Sequence, residues 1–180
     1  PANKVPGDKT TADRVVSGPI APPGRYTVVL KCSGTEKSKT FEIIKDPRVE
    51  ASQKELEDQF NLLVSIRDRL SETHDSINRI RSVCSQVNEW TQRAIGHSSE
   101  TLVTEAAKKI MEKLSAIESE LIQTEYQGAR DRLNLPTRLN SKLSEITSVV
   151  SAGDFAPTRQ SYEVFQAVSD EIEPHLLTLQ

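Results

Sequence analysis

Residues 52–95 read SQKELEDQFNLLVSIRDRLSETHDSINRIRSVCSQVNEWTQRAI, an unbroken run with neither proline nor glycine. Ser52-Gln-Lys-Glu55 has the form of a capping box. The serine hydroxyl accepts from the backbone N–H three residues on, and the glutamate reaches back to the serine N–H. Behind it, Leu56, Phe60, Leu63, Ile66, Leu70, Ile77, Ile80, Cys84, Val87, Trp90 and Ala94 recur at three- and four-residue spacing. That is one face of an α-helix. At about 1.5 Å per residue the helix reaches about 66 Å, several times the usual globular length. The polar patch Ser71–Ser76 is its expected weak point.

Downstream, each expected helix has a start and a stop. Gly96 suits the left-handed position after a helix, and Ser98 or Ser99 caps a second one, with Glu100 and Glu105 near its positive end. The stripe of this second helix is Val103, Ala106, Ile110, Leu114, Ile117 and Leu121, fading near Tyr126–Gly128. A linker, Ala129–Leu135, leads to Pro136 in the first turn of a third helix. Leu139, Leu143, Ile146 and Val150 form its stripe, and Gly153 stops it. Pro157 opens a fourth, with Tyr162, Phe165, Val168, Ile172, Leu176 and Leu179 inward, and Pro174 is expected to kink or end it. Short connections make successive helices antiparallel.

Upstream the period changes. Residues 1–24 are rich in Pro, Gly, Lys, Asp and Thr and read as extended, with Val15, Val16 and Ile20 available as an edge strand. Pro22, Pro23 and Gly24 turn the chain. Tyr26, Val28, Leu30 and Cys32 then alternate with Thr27, Val29 and Lys31, the period-two signature of a half-buried strand. Ser33–Lys37 reads as a hairpin loop and Thr40–Lys45 as a second strand carrying Phe41 and Ile43 on one face. Asp46-Pro47-Arg48 ends it. The fold class is therefore mainly α: an antiparallel bundle of about four helices with one very long helix, preceded by a short β-hairpin. Residues 1–47 form the extended and β part, and residues 48–180 the bundle.

Composition excludes several functions. Net charge is −3, charged residues are 27 %, apolar 36 % and aromatic 4 %. Such a chain exerts no long-range pull on nucleic acid or an anionic membrane. No apolar run approaches the roughly 18 residues of a membrane span. The turn-rich start at Pro1 is expected of a piece of a longer chain. Cys32 and Cys84 read as two buried thiols rather than a bridge, since a disulfide requires Cα atoms within about 7 Å.

No catalytic, cofactor-binding or metal-binding residue is assigned. Glu171 and His175 share a helix face at i, i+4, but a metal site requires three or four ligands and nothing nearby in sequence completes the set. His74-Asp75 suggests a general base, yet adjacent helix positions diverge by about 100°. His74 also lies on the apolar stripe, which marks a histidine at the core edge. His97 sits in a loop. Arg67, Arg69, Arg79, Arg81 and Arg93 share the long helix with Glu55, Glu57, Asp58, Asp68, Glu72, Asp75 and Glu89, a pattern of solvated, paired charge. Trp90 and Tyr126 are candidates for a small binding surface, with Trp90 better read as core.

Three stretches carry a resemblance. APPGRYTVVL at 21–30 is similar to the Pro-Gly-x-Tyr-x-Val strand of bacterial Ig-like modules, and residues 43–49, with Asp-Pro-Arg-Val, resemble the exit from that module. LPTRLNSKL at 135–143 with QSYEVF at 160–165 resembles the C-terminal helices of large secreted bacterial proteins with a BNR/Asp-box, sortilin-like β-propeller. Those proteins are often described as glycosyl hydrolases. The resemblance covers residues 14–180. It implies a partial Ig-like β segment, an extracellular or periplasmic parent and a non-catalytic C-terminal structural or interaction module. The partner it implies is the propeller and Ig-like part of its own chain. No Asp-box is present here, so no propeller residue is carried over. The alternatives are an accessory domain of a glycoside-hydrolase-like enzyme and a helical dimerisation module. A two-stranded remnant leaves Tyr26, Val28, Leu30, Phe41 and Ile43 without an opposing sheet. The hairpin is then expected to pack on the long helix near Phe60 or, preferably, to pair with a second copy as a homodimer.

Overall fold

The computed structural model describes residues 1–8, 18–128 and 130–179. The fold is mainly α, with four helices preceded by a two-stranded antiparallel hairpin. β1 spans Gly24–Cys32 and β2 Thr35–Ile43. The helices are α1 Gln53–Ala94, α2 Glu100–Leu121, α3 Leu139–Val150 and α4 Arg159–Thr178.

α1 runs unbroken for 42 residues. Its capping box forms as the sequence requires: Glu55 N donates to Ser52 Oγ at 3.3 Å, and Ser52 N donates to Glu55 Oε2 at 2.7 Å. The Ser71–Ser76 patch does not weaken it. Ser71, Thr73 and Ser76 turn their hydroxyls onto the carbonyls of Arg67, Arg69 and Glu72, so these polar side chains are satisfied within the helix.

The core gathers on the first two thirds of α1. Leu62, Leu63, Ile66, Leu70 and Ile77 pack with Leu139, Leu143, Ile146 and Val150 of α3 and with Val168, Ile172 and Leu176 of α4. Leu121 and Ile122, at the end of α2, close one end. Beyond Ile80 only Ala94 of α1 is buried, and α2 buries only Ala107 and its terminal Leu121. The two helices thus form an arm extending about 20 Å past the core at 1.5 Å per residue.

Several expected details are corrected. α2 buries Ala107, not Ala106, and leaves Ile110 exposed. α2 packs chiefly on α1 and meets α3 and α4 far less, and a helix held mainly by one neighbour has a narrower buried seam than one in a bundle. α2 ends at Leu121, before Tyr126, and Ser99 makes no side-chain cap; Gly96 N instead donates to the Glu100 carboxylate at 2.7 Å. Pro136 precedes α3, whose cap is Arg138, and the linker holds a 3-10 turn at Asp131–Leu133. α3 ends at Val150, three residues before Gly153. Tyr162 is exposed. Pro174 does not end α4: it faces solvent while Ile172 and Leu176 on either side are buried and hold the last turns to the core.

The hairpin differs most. Ser33 and Gly34 both have positive φ, 46° and 80°, the two-residue turn that matches strand twist. β2 therefore begins at Thr35 rather than Thr40. The strands are not half-buried, and among the described residues they come within 8 Å (Cα–Cα) of no helix, so packing near Phe60 is not what the fold does. Of the proposed edge strand, Ile20 is 86 % exposed, while Val15 and Val16 lie outside the described residues.

Candidate functional site

The register of the hairpin sorts its side chains into two unlike faces. Tyr26 pairs with Phe41, Val28 with Lys39, Leu30 with Lys37 and Cys32 with Thr35. Because side chains alternate, all of these share one face. The other face carries Arg25 opposite Glu42, Thr27 opposite Thr40, Val29 opposite Ser38 and Lys31 opposite Glu36. It is polar and charge-balanced, with Lys31 and Glu36 at 3.1 Å and the Thr27 and Thr40 hydroxyls at 3.4 Å.

The first face is apolar and solvent-facing. Val28 is 56 %, Leu30 66 % and Phe41 47 % exposed. Its base is fixed by an aromatic pair, the Tyr26 and Phe41 rings lying 6.0 Å apart and tilted by 31°. The Tyr26 hydroxyl donates to Pro22 O at 2.6 Å. Ile43, next on the same face, lines a cleft of about 400 Å³ between residues 18–23, the exit from β2 and the start of α1. Gln53 Nε2 donates to Pro23 O, tying the hairpin base to the first turn of α1, and Lys45 Nζ donates to Ala51 O within the connection between them. Asp46 accepts from Arg48, both side chain and N–H, and this holds its carboxyl below the usual range.

A second constellation lies in the middle of α1, at the polar patch. Residues 1–8 lie across it as a strap. Asn3 N donates to Ser71 Oγ, Asn3 Nδ2 to the Asp75 carboxylate, Asn78 to Lys4 O and Arg81 to Pro6 O. Val5, only 3 % exposed, plugs into the core. His74, expected at the core edge, is fully covered at 2 % exposure. Its Nδ1 lies 2.6 Å from Asn3 O. A carbonyl only accepts, so Nδ1 carries the proton and Nε2 is left to face Asn140 Nδ2 at 3.5 Å. Asp8 and Asn140 complete this buried polar cluster. The geometry makes His74 a fastener for the strap. Asp75 does not orient it, being engaged with Asn3 on the surface.

The other candidate residues are dispersed. Glu171 receives Lys142 at 2.9 Å, while His175 is half-buried on α4 and His97 exposed between α1 and α2. Among the described residues, no group of three or more His, Cys, Asp or Glu side chains stands together to hold a metal. Arg67, Arg69, Arg81 and Arg93 pair with Asp68, with Glu72 and Glu173, with Glu118 and with Glu89 respectively. Arg79 is exposed. Trp90 is 65 % exposed, with the Arg93 guanidinium 5.5 Å from its ring, because the bundle has ended before α1 reaches it. Tyr126 lies at the opposite end of α2, so the two aromatics form no common surface. Both thiols are free; Cys32 is exposed at the hairpin tip, and Cys84 is partly covered in the arm. Burial, and then the nearby Glu118, push the Cys84 thiol up.

Sequence reasoning missed the strap and its seat. The one signal was a histidine and an asparagine, His74 and Asn140, on otherwise apolar stripes. No helix among the described residues is long and apolar enough to cross a membrane. The chain matches no protein-family model, no curated protein and no solved structure.

Proposed function

We propose that the chain is a non-catalytic structural and interaction module, the C-terminal part of a larger secreted β-propeller protein acting outside the cytoplasm. The single observation that carries this reading is the Tyr26 face of the hairpin. Two strands do not form a stable sheet alone in water, and contiguous exposed apolar surface marks an interaction site. Here such a face is presented clear of the helices, on a base tied to the longest helix. The sequence resemblance to Ig-like exits and to the helical tails of propeller proteins supplies the parent. The bundle's role is to hold the hairpin rigidly at its base.

The test is hydrogen exchange on the chain alone and on the same chain with the upstream propeller and Ig-like residues of its own gene. The reading expects amides of Val28–Leu30 and Lys37–Lys39 to become protected in the longer protein. Equal exchange in both would overturn it. A second reading, a helical dimerisation module, is favoured by the arm, where Trp90, Ile95 and Leu102 are each more than half exposed. Sedimentation of the chain alone tests it: a dimer abolished by Leu102→Lys supports this reading, and a monomer removes it.

A further inference from the structure

Resting on the docking reading above, we propose that the Tyr26 face of the hairpin receives an apolar protein surface that carries carboxylates opposite Lys37 and Lys39.

Lys37 and Lys39 stand directly across from Leu30 and Val28, on the apolar side of the sheet. Every other charged residue of the two strands, Arg25, Lys31, Glu36 and Glu42, is on the opposite side, where each has a cross-strand partner of opposite sign. The Tyr26 face therefore holds two cations and no anion. Among the described residues neither lysine is in an ion pair, in contrast to Lys31. Lysine stems cover apolar neighbours while the ammonium heads stay wet, so this face offers aliphatic and aromatic area rimmed by positive charge.

A fitting partner supplies apolar contact at the centre and negative charge over β2, the arrangement that steers encounter and fixes register. Three other occupants fit less well. A second copy packed face to face would bring two more lysines and again no carboxylate, and like charges brought together across an interface oppose association. The chain's own helices leave the face free. A membrane surface would gain only about 1 kcal/mol from each lysine near anionic lipid, against a chain of net charge −3. The apolar face also runs, through Ile43, into the cleft at the hairpin base, so a partner has a continuous surface to follow.

The test uses the full chain, labelled for NMR, and three synthetic amphipathic helices of equal length built from leucine with glutamate, with glutamine or with lysine. The expected result is that the leucine–glutamate peptide shifts the amides of Val28, Leu30, Lys37 and Lys39. It should bind at least about tenfold more tightly than the leucine–lysine peptide. The variant K37E/K39E, with its Tyr26–Phe41 ring shifts retained as proof that the hairpin is intact, should reverse that order. Equal binding of all three peptides on this face would leave a docking surface standing and refute the acidic partner. Perturbation confined to the Arg25–Glu42 face would refute the assignment of the face. Displacement of the peptide by phosphatidylserine vesicles would assign the face to a membrane, and a dimer abolished by Val28→Lys would assign it to a second copy. No perturbation of the hairpin by any peptide would refute the docking reading itself.

Discussion

Replacing Val5 by alanine tests whether the strap belongs to the fold. Val5 is 3 % exposed and sits in the same core cluster as Leu70 and Ile77. The substitution removes two methyl equivalents, about 0.8 kcal/mol each by transfer. A strap that relaxes incompletely over the gap adds a further fraction. The sum is about 2 kcal/mol. There is also a ceiling. Residues 1–8 can leave α1 without unfolding any helix, so no substitution at Val5 costs more than undocking the strap. Val5→Asp should reach that ceiling, because a buried unpaired carboxylate costs more than the strap's release. Urea unfolding measures both. With a slope of about 2 kcal/mol/M, Val5→Ala should lower the midpoint by about 1 M. Val5→Asp should lower it somewhat further, and the Asn3 amide, which donates to Ser71 Oγ, should lose its protection from hydrogen exchange. A midpoint within about 0.2 M of wild type in both variants, with the Asn3 amide already exchanging freely in the wild type, would refute a docked strap.

Three further outcomes follow from other parts of the fold. Leu143, fully buried on α3, should cost about 2–5 kcal/mol as Leu143→Ala, and Leu114→Ala, on the half-covered arm, about half as much; equal costs in denaturant would show that the arm is as well packed as the core. The N–H and hydroxyl of Ser52 hold the Glu55 carboxyl below its ordinary value, so its contribution is complete above about pH 4.3 and is lost as pH falls through the lower folded value. Glu55→Gln should accordingly abolish acid fraying of the first turn of α1 in NMR, and fraying that persists unchanged would count against the capping box as its cause. Cys32 should react with a thiol reagent in native conditions far faster than Cys84, whose thiol is partly buried and raised; comparable rates would mean the arm opens readily.

The helices were legible wherever one face is buried against several neighbours. Leu139, Leu143, Ile146 and Val150 of α3 are all buried, as their spacing requires. Legibility fails where burial is thin. Along α2, packed chiefly on α1, so little is buried that Ala106 and Ala107 are not told apart by pattern. Trp90 continues the stripe of α1 in sequence after the bundle that would have covered it has ended. The sequence reads β2 short because Lys37 and Lys39 face solvent, and a strand with exposed lysines looks like a loop. The two-residue turn at Ser33–Gly34 is local chemistry, visible only once the register is known. Pro174 persists in α4 because tertiary packing overrides a local breaker. The strap was illegible in principle: a lone Val5 among Pro, Gly and Lys carries no period, and its seat is made by residues about seventy positions away. Within the candidate site, the apolar face of β1 was readable from alternation. Its freedom from the helices and its two lysines required the fold.

The Tyr26 face stands clear of the helical bundle. Urea unfolding of the variant V28K/L30K, followed by the helical signal at 222 nm, tests it most directly. The structure predicts a bundle stability within about 0.5 kcal/mol of wild type, as for exposed positions. A loss of about 3 kcal/mol or more, the cost of uncovering two large apolar side chains, would contradict it, because it would mean that the hairpin packs on the helices.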